Sequence, residues 1–223
     1  MKKIIASLFG AAMLLIGSQA YAQVVIGAGY LHAIDHTHNS SDGKAVGNPE
    51  HLNGFYVGAG YNVRMGEYFG FTPGLYVDML FQGAQWSKGI NDGYLISAAA
   101  TYHYTELDIN VPLNFNFNID LGDIANFFVY AGPTFQYGAM ASSTASADFS
   151  IAGVRRGAGE SFDHYGKDGD ANPFNILLGG GIGIGVSHFQ LNAGYEHTLL
   201  NMCRAEGYGR GRHQIKVGIS VSF

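Results

Sequence analysis

The eleven residues His213-Gln-Ile-Lys-Val-Gly-Ile-Ser-Val-Ser-Phe223 decide the fold. Ile215, Val217, Ile219, Val221 and Phe223 fall on one face of an extended chain; Gln214, Lys216, Gly218, Ser220 and Ser222 fall on the other. Side chains of a strand point alternately to its two sides, so this segment needs an apolar medium on one flank and a polar one on the other. That apolar medium is either a protein core or lipid.

The rest of the chain separates the two. Only 13% of its residues are charged, against about 25% in ordinary soluble domains, which is too few to coat a soluble surface of this size. Thirty-three Gly, 14 Tyr and 15 Phe fit the aromatic girdles of membrane barrels better. Residues 1–22 read as a signal peptide. Lys2 and Lys3 form the positive start, Ile4 to Ile16 the apolar run, and Ala20-Tyr21-Ala22 the cleavage site, which leaves 23–223 as the barrel domain. A first transmembrane helix is the alternative, but the run is shorter than the ~20 residues a span needs. No Cys follows the cleavage site to carry a lipid anchor, and the lone Cys203 has no internal disulfide partner.

The same alternation recurs in order over Val24 to His32, Phe55 to Arg64, Phe69 to Gln82, Thr101 to Ile119, Phe127 to Met140, Pro173 to Val186 and Phe189 to Leu199. In the fourth, Leu107, Ile109, Val111, Leu113, Phe115 and Phe117 oppose Glu106, Asp108, Asn110, Pro112, Asn114, Asn116 and Asn118. With the C-terminal segment this predicts eight strands. Pro73 interrupts the third, since it removes one ladder donor.

Long connections (Ala33 to Asn53, Gly83 to Ala100, Ala141 to Asn172, Asn201 to Gly211) alternate with tight turns at Met65 to Tyr68, Asp120 to Asn126 and Ser187-His188. An up-and-down sheet then gathers the long connections at one end, as in bacterial outer-membrane barrels, and both termini at the other. The longest, Ala141 to Asn172, is expected to be a mobile loop.

The strand charges Arg64, Asp78, Glu106, Asp108, Glu196 and Lys216 all fall on the polar face. On the apolar face a Lys or Arg at mid-bilayer costs about 2–4 kcal/mol. A soluble sandwich would distribute them the other way round. The expected fold is therefore all-β, an eight-stranded antiparallel up-and-down transmembrane β-barrel of the outer membrane, whose closure leaves no unpaired edge in lipid.

The alternating Gly and aromatics of Tyr56 to Tyr61, the segment Ile109-Asn-Val-Pro-Leu-Asn-Phe115, the segment Phe128-Val-Tyr-Ala-Gly-Pro-Thr-Phe135 and the closing Val221-Ser-Phe223 carry a resemblance. The chain is similar throughout its mature length to the outer-membrane β-barrel domain family of Bacteroidetes, the PorT-like porin-family proteins. That resemblance implies a fold rather than an activity. It also implies that the terminal Phe223 is the signal read by the β-barrel assembly machinery.

An eight-stranded barrel has room inside only for side chains. Arg64, Asp78, Glu106, Asp108, Glu196 and Lys216 are therefore expected to meet as a plug, and a narrow ion or proton path along the same groups remains open. His32, Asp35, His36, His38, Glu50 and His51 contain metal-ligating residue types, with His36 and His38 as the candidate pair. Their spacing defines no site, and Asp163, Asp168 and Asp170 miss the calcium-loop spacing, so no metal and no cofactor is expected.

His103 and His197, with Thr198 and Glu196 beside the latter, are the residues a lipid-A-modifying enzyme would use. No nucleophile–acid partnership is legible around them, and the chain is expected not to be an enzyme. The net charge of −5, more acidic once Lys2 and Lys3 are removed, argues against a nucleic-acid partner. The expected partners are outer-membrane lipid and lipopolysaccharide, the assembly machinery and an extracellular ligand of the loops. The expected role is structural or surface-interacting, with a small-solute channel or a secretion accessory as the alternative.

Overall fold

A computed structural model describes residues 22–90, 96–122, 124–151 and 154–223. The expected signal peptide falls outside these except for its last residue. The strands are β1 (Ala22–Asn39), β2 (Glu50–Arg64), β3 (Phe69–Ile90), β4 (Ile96–Asp120), β5 (Ala125–Ile151), β6 (Val154–Asp163), β7 (Phe174–Val186), β8 (Phe189–Thr198) and β9 (Tyr208–Ser222). Every neighbouring pair is antiparallel. The ring runs β4-β3-β2-β1-β9-β8-β7-β5, and β5 pairs back onto β4. Eight strands thus close on themselves, which satisfies every ladder in lipid without an edge.

The strand count is nine rather than eight. β6 pairs only with the outer part of β5, Ser142 to Ile151, whereas the inner part of β5, Ala125 to Tyr137, pairs with β7. The segment Ala141 to Asn172 is therefore largely a β-hairpin and not a loop. The outer parts of β3 and β4 pair as far as Ile90 and Ile96. Together these segments form a four-stranded sheet, β3-β4-β5-β6, that continues past the ring at its loop end. Its sequence is rich in Ala, Ser, Thr and Gly, with large apolar residues too scattered to give the unbroken alternation of a lipid-facing strand, and so it reads as loop. The backbone ladder needs no such residues once neighbouring strands have set the register.

Alternation sets the two faces of the ring. Ile219 (64% exposed), Leu191, Ile182, Leu75, Phe115 and Val57 point outward. Inward positions near the loop end carry an apolar layer that alternation alone does not distinguish from the polar face: Leu31, Ala33, Leu52, Leu80, Tyr56, Tyr104 and Ala141. A β-bulge in β5 moves Ala141 there. The register passes from Asp108↔Gly138 to Leu107↔Met140, so Ala139 is the extra residue and the inward parity of β5 switches beyond it. Two of the short turns use left-handed glycines, Gly66 and Gly122, and the third places Ser187 at φ 55°.

Candidate functional site in the lumen

The lumen is built in layers, and β9 threads them all. Its inward residues Arg210, Arg212, Gln214 and Lys216 recur at every second position, the spacing that keeps side chains on one side of a strand. Nearest the turn end lies a polar cavity of about 220 Å³. Asn62, Asn116, Asn192, Tyr76, Tyr130 and Arg64 are among its lining residues. Above it the Lys216 ammonium lies 3.0 Å from Asp78 Oδ2 and 3.0 Å from Glu196 Oε2. Glu196 also accepts from the Thr134 hydroxyl at 2.7 Å and the Gln214 amide at 2.7 Å.

The next layer centres on Arg212, which has no exposed surface. Its Nε donates to Asp35 Oδ1 at 2.6 Å and its Nη2 to Asp35 Oδ2 at 2.9 Å. The same guanidinium donates to Glu106 Oε1 at 3.0 Å and Oε2 at 2.7 Å, with Asp108 at 3.5 Å. The Gln136 amide donates to Asp108 at 3.0 Å. Arg210 adds a second guanidinium on Asp35, at 2.6 Å, and reaches Glu50 at 3.4 Å. Tyr165, from the connection after β6, folds back into the mouth and donates its hydroxyl to Glu106 at 2.7 Å. Its ring lies over Gly138, where an added Cβ would come within 2.2 Å of the ring carbons.

Five of the six residues read from the sequence, Asp78, Glu106, Asp108, Glu196 and Lys216, lie in these two layers. Arg64 does not meet them; it lies at the turn-end cavity and makes no ion pair among the described residues. Asp35, Arg210 and Arg212 complete the centre, and sequence reasoning missed them because it ended β1 at His32 and began β9 at His213. The signal was present: Leu31, Ala33 and Asp35 extend one alternation, and Arg210 and Arg212 extend the other. Bidentate pairing of guanidinium with carboxylate gives the strongest polar contact available to buried side chains. A buried Arg left without its carboxylates would be strongly destabilising. With the Leu31, Leu52 and Leu80 layer beside it, this arrangement fills the barrel interior with buried side chains at the level of Arg212.

The histidines lie elsewhere. His36 packs edge-on against His213 at 5.2 Å, and His213 stacks on His197 at 4.5 Å, all on the outward face. The His38 ring lies against Gly209. No group of three or more His, Cys, Asp or Glu among the described residues is arranged to hold a metal. The Thr198 hydroxyl is engaged with the backbone of Arg212 rather than with His197 or His103.

A family model described as the outer membrane protein beta-barrel domain matches residues 18–204. No curated protein matches the sequence. Among solved structures, the chain is similar to Ail, the attachment invasion locus protein of Yersinia pestis, at 16% identity, covering 91% of this chain and 99% of that one with a TM-score of 0.34. It is similar to Neisserial surface protein A at 11% identity, covering 90% and 97% with a TM-score of 0.36. The outer membrane enzyme PagL follows at 11% identity, 86% and 98% coverage and a TM-score of 0.33. With its closed ring, its apolar outer face and the family match over most of its length, this chain belongs to the outer membrane protein beta-barrel domain family and resides in the outer membrane.

Proposed function

We propose that the chain is a closed, non-conducting barrel that anchors a β-sheet outside the cell for contact with an extended segment of a partner protein. The observation that carries this reading is the outer sheet. Past Phe81, β3 has no pairing to β2, and β6 pairs on one side only, with β5. Two strand edges therefore present backbone donors and acceptors without partners among the described residues. Such edges recruit a further strand, with main-chain hydrogen bonds supplying affinity. The buried Arg212 layer supports the non-conducting half of the reading.

The motifs Ile109 to Phe115 and Phe128 to Phe135 support a place among the Bacteroidetes type of small barrel. Phe223, 70% exposed and with its N–H donating to the Val24 carbonyl at 2.9 Å, is available as the assembly signal. The polar cavity favours a second reading, a small-solute path gated at Lys216. Planar bilayers decide between them. The first reading expects a silent membrane, and steady conductance steps would overturn it. Peptides selected on the micelle-bound barrel should protect the backbone amides of Val154 to Asp163 from hydrogen exchange; protection confined to the connection between β1 and β2 would remove the edge assignment.

A further inference from the structure

On the inner face of that outer sheet, three side chains from two elements form a directed hydrogen-bonded chain. His164, one residue beyond β6, places Nδ1 2.7 Å from Asp170 Oδ1 and Nε2 3.0 Å from the Ser143 hydroxyl on β5. The tautomer that satisfies both contacts has Nδ1–H donating to the carboxylate and Nε2 accepting from the hydroxyl. This is the arrangement that turns a serine into a nucleophile, recognised by geometry and role rather than by position in the sequence. The imidazole is fixed from its other sides too. Tyr104 meets it edge-on at 5.3 Å and Phe162 at 4.9 Å. Only 12% of its side chain is exposed, whereas Asp170 is half in solvent.

A further feature adjoins Ser143. Tyr102, two residues along β4 from Tyr104 and directly opposite Ala145, is part of a groove of about 500 Å³ floored by Ala84, Ala100, Ala145, Ala147 and Ala158. The groove is apolar and carries no charge beside Glu160 at its border. Small side chains leave the backbone surface flat enough for a straight alkyl chain to lie along it. Concave apolar sites with a few convergent polar groups are where ligands bind.

We propose that Ser143, His164 and Asp170 hydrolyse carboxylic esters whose acyl chain lies in the alanine-floored groove. Ser143 Oγ attacks the ester carbonyl carbon while Nε2 of His164 takes the hydroxyl proton. Asp170 holds the imidazolium through Nδ1–H. The carbon–oxygen bond to the alcohol breaks, and that alcohol leaves with the proton from Nε2. Water, deprotonated by the same nitrogen, attacks the acyl-serine, releases the carboxylic acid and restores Ser143. The balance is ester plus water to acid plus alcohol, with no cofactor.

The test uses the refolded mature barrel in detergent micelles, with p-nitrophenyl esters from acetyl to decanoyl and a fluorophosphonate probe. The expected result is ester hydrolysis with a chain-length optimum, and probe adduct on the Ser143 peptide by mass spectrometry. Ser143→Ala and His164→Gln should abolish both, and Asp170→Asn should lower kcat by about 100-fold or more with little change in KM. Circular dichroism and the heat-dependent electrophoretic shift establish that each variant is folded. A fourth variant, Ala147→Trp, fills the groove four residues along β5 from Ser143, and should move the optimum to shorter acyl chains while keeping the probe adduct. An unlabelled Ser143 in folded wild-type protein, or hydrolysis that survives Ser143→Ala, overturns the proposal and leaves His164 as a tie between strand and loop.

Discussion

Arg212 and Asp35 stand directly opposite each other on β9 and β1, the two strands whose pairing closes the ring, and share two hydrogen bonds of 2.6 and 2.9 Å. They are 177 residues apart in sequence. Ring closure and assembly of the buried charge cluster are thus one event: the barrel cannot seal its first strand to its last without bringing the guanidinium onto the carboxylate. Glu106, on β4 across the lumen, receives the other side of the same guanidinium. One side chain ties three strands.

Replacing Arg212 with Met should therefore destabilise the barrel by about 3–5 kcal/mol, because Asp35, Glu106 and Asp108 would keep their burial and lose their cation. Urea unfolding in phospholipid vesicles measures this. In a double-mutant cycle, Asp35→Asn alone should also destabilise. The pair Arg212→Met with Asp35→Asn should fall short of the sum by about 2 kcal/mol, since contacting residues are not additive. Additive losses would show that the two side chains do not act on each other.

How far the sequence reaches can be judged from the same residues. Period-two alternation located every strand of the ring, because the lipid side demands apolar residues at each outward position and so prints a pattern on the chain. It put Asp78, Glu106, Asp108, Glu196 and Lys216 inside. Where the strands leave the bilayer, that demand ends. Asp35, Arg210 and Arg212 sit in His- and Gly-rich surroundings that read as loop, and the outer sheet offers only alanines and scattered larger residues where the ring strands carry an unbroken row of large apolar ones. Register was illegible for another reason. The bulge at Ala139 is a backbone event that changes which side chains of β5 face in, and nothing in Tyr137-Gly-Ala-Met140 announces it. Ser143, His164 and Asp170 could not be grouped without that register.

Lipid contact predicts a sharp asymmetry between neighbouring positions. Ile219, outward and flanked across the ladder by Leu191 and Ala28, should cost about 2–4 kcal/mol when changed to Arg, as expected near the bilayer midplane. Gln190, which lines the polar cavity, should tolerate Arg to within about 1 kcal/mol, because the new charge meets water and amides. Equilibrium folding into vesicles compares the two variants directly. Equal costs would contradict the assignment of faces.

Tyr165 holds the connection after β6 in the mouth of the barrel by one hydrogen bond and by packing over Gly138. Gly138→Leu should evict the ring, since even a Cβ there meets its carbons at 2.2 Å. Loss of the contact to Glu106 should loosen the connection by about 1–3 kcal/mol. Trypsin should then cut at Lys167 roughly tenfold faster or more, given that 1.4 kcal/mol is a factor of ten. The membrane-embedded part should stay resistant. A cleavage rate equal to wild type would show that Tyr165 does not anchor this segment.

The extra residue Ala139 makes the strongest demand on the described register. Both Ala139 and Met140 are exposed, whereas Gly138 and Ala141 are buried, the signature of two consecutive outward positions at a bulge. Deleting Ala139 should heal the bulge, because Gly138 and Met140 then become neighbours that pair with Asp108 and Leu107 in an unbroken ladder. Met140 keeps its outward place, Ala141 its inward one, and Ser143 still faces His164. Hydrogen exchange should show β6 to β9 as protected as before, Ser142 to Ile151 and Val154 to Asp163 included. Deleting Ala139 and Met140 together removes one residue more and should turn Ala141 outward and Ser143 away from His164, with protection lost over those two segments alone. If the single deletion lost that protection and the double deletion kept it, the register drawn for β5 above Gly138 would have to be abandoned.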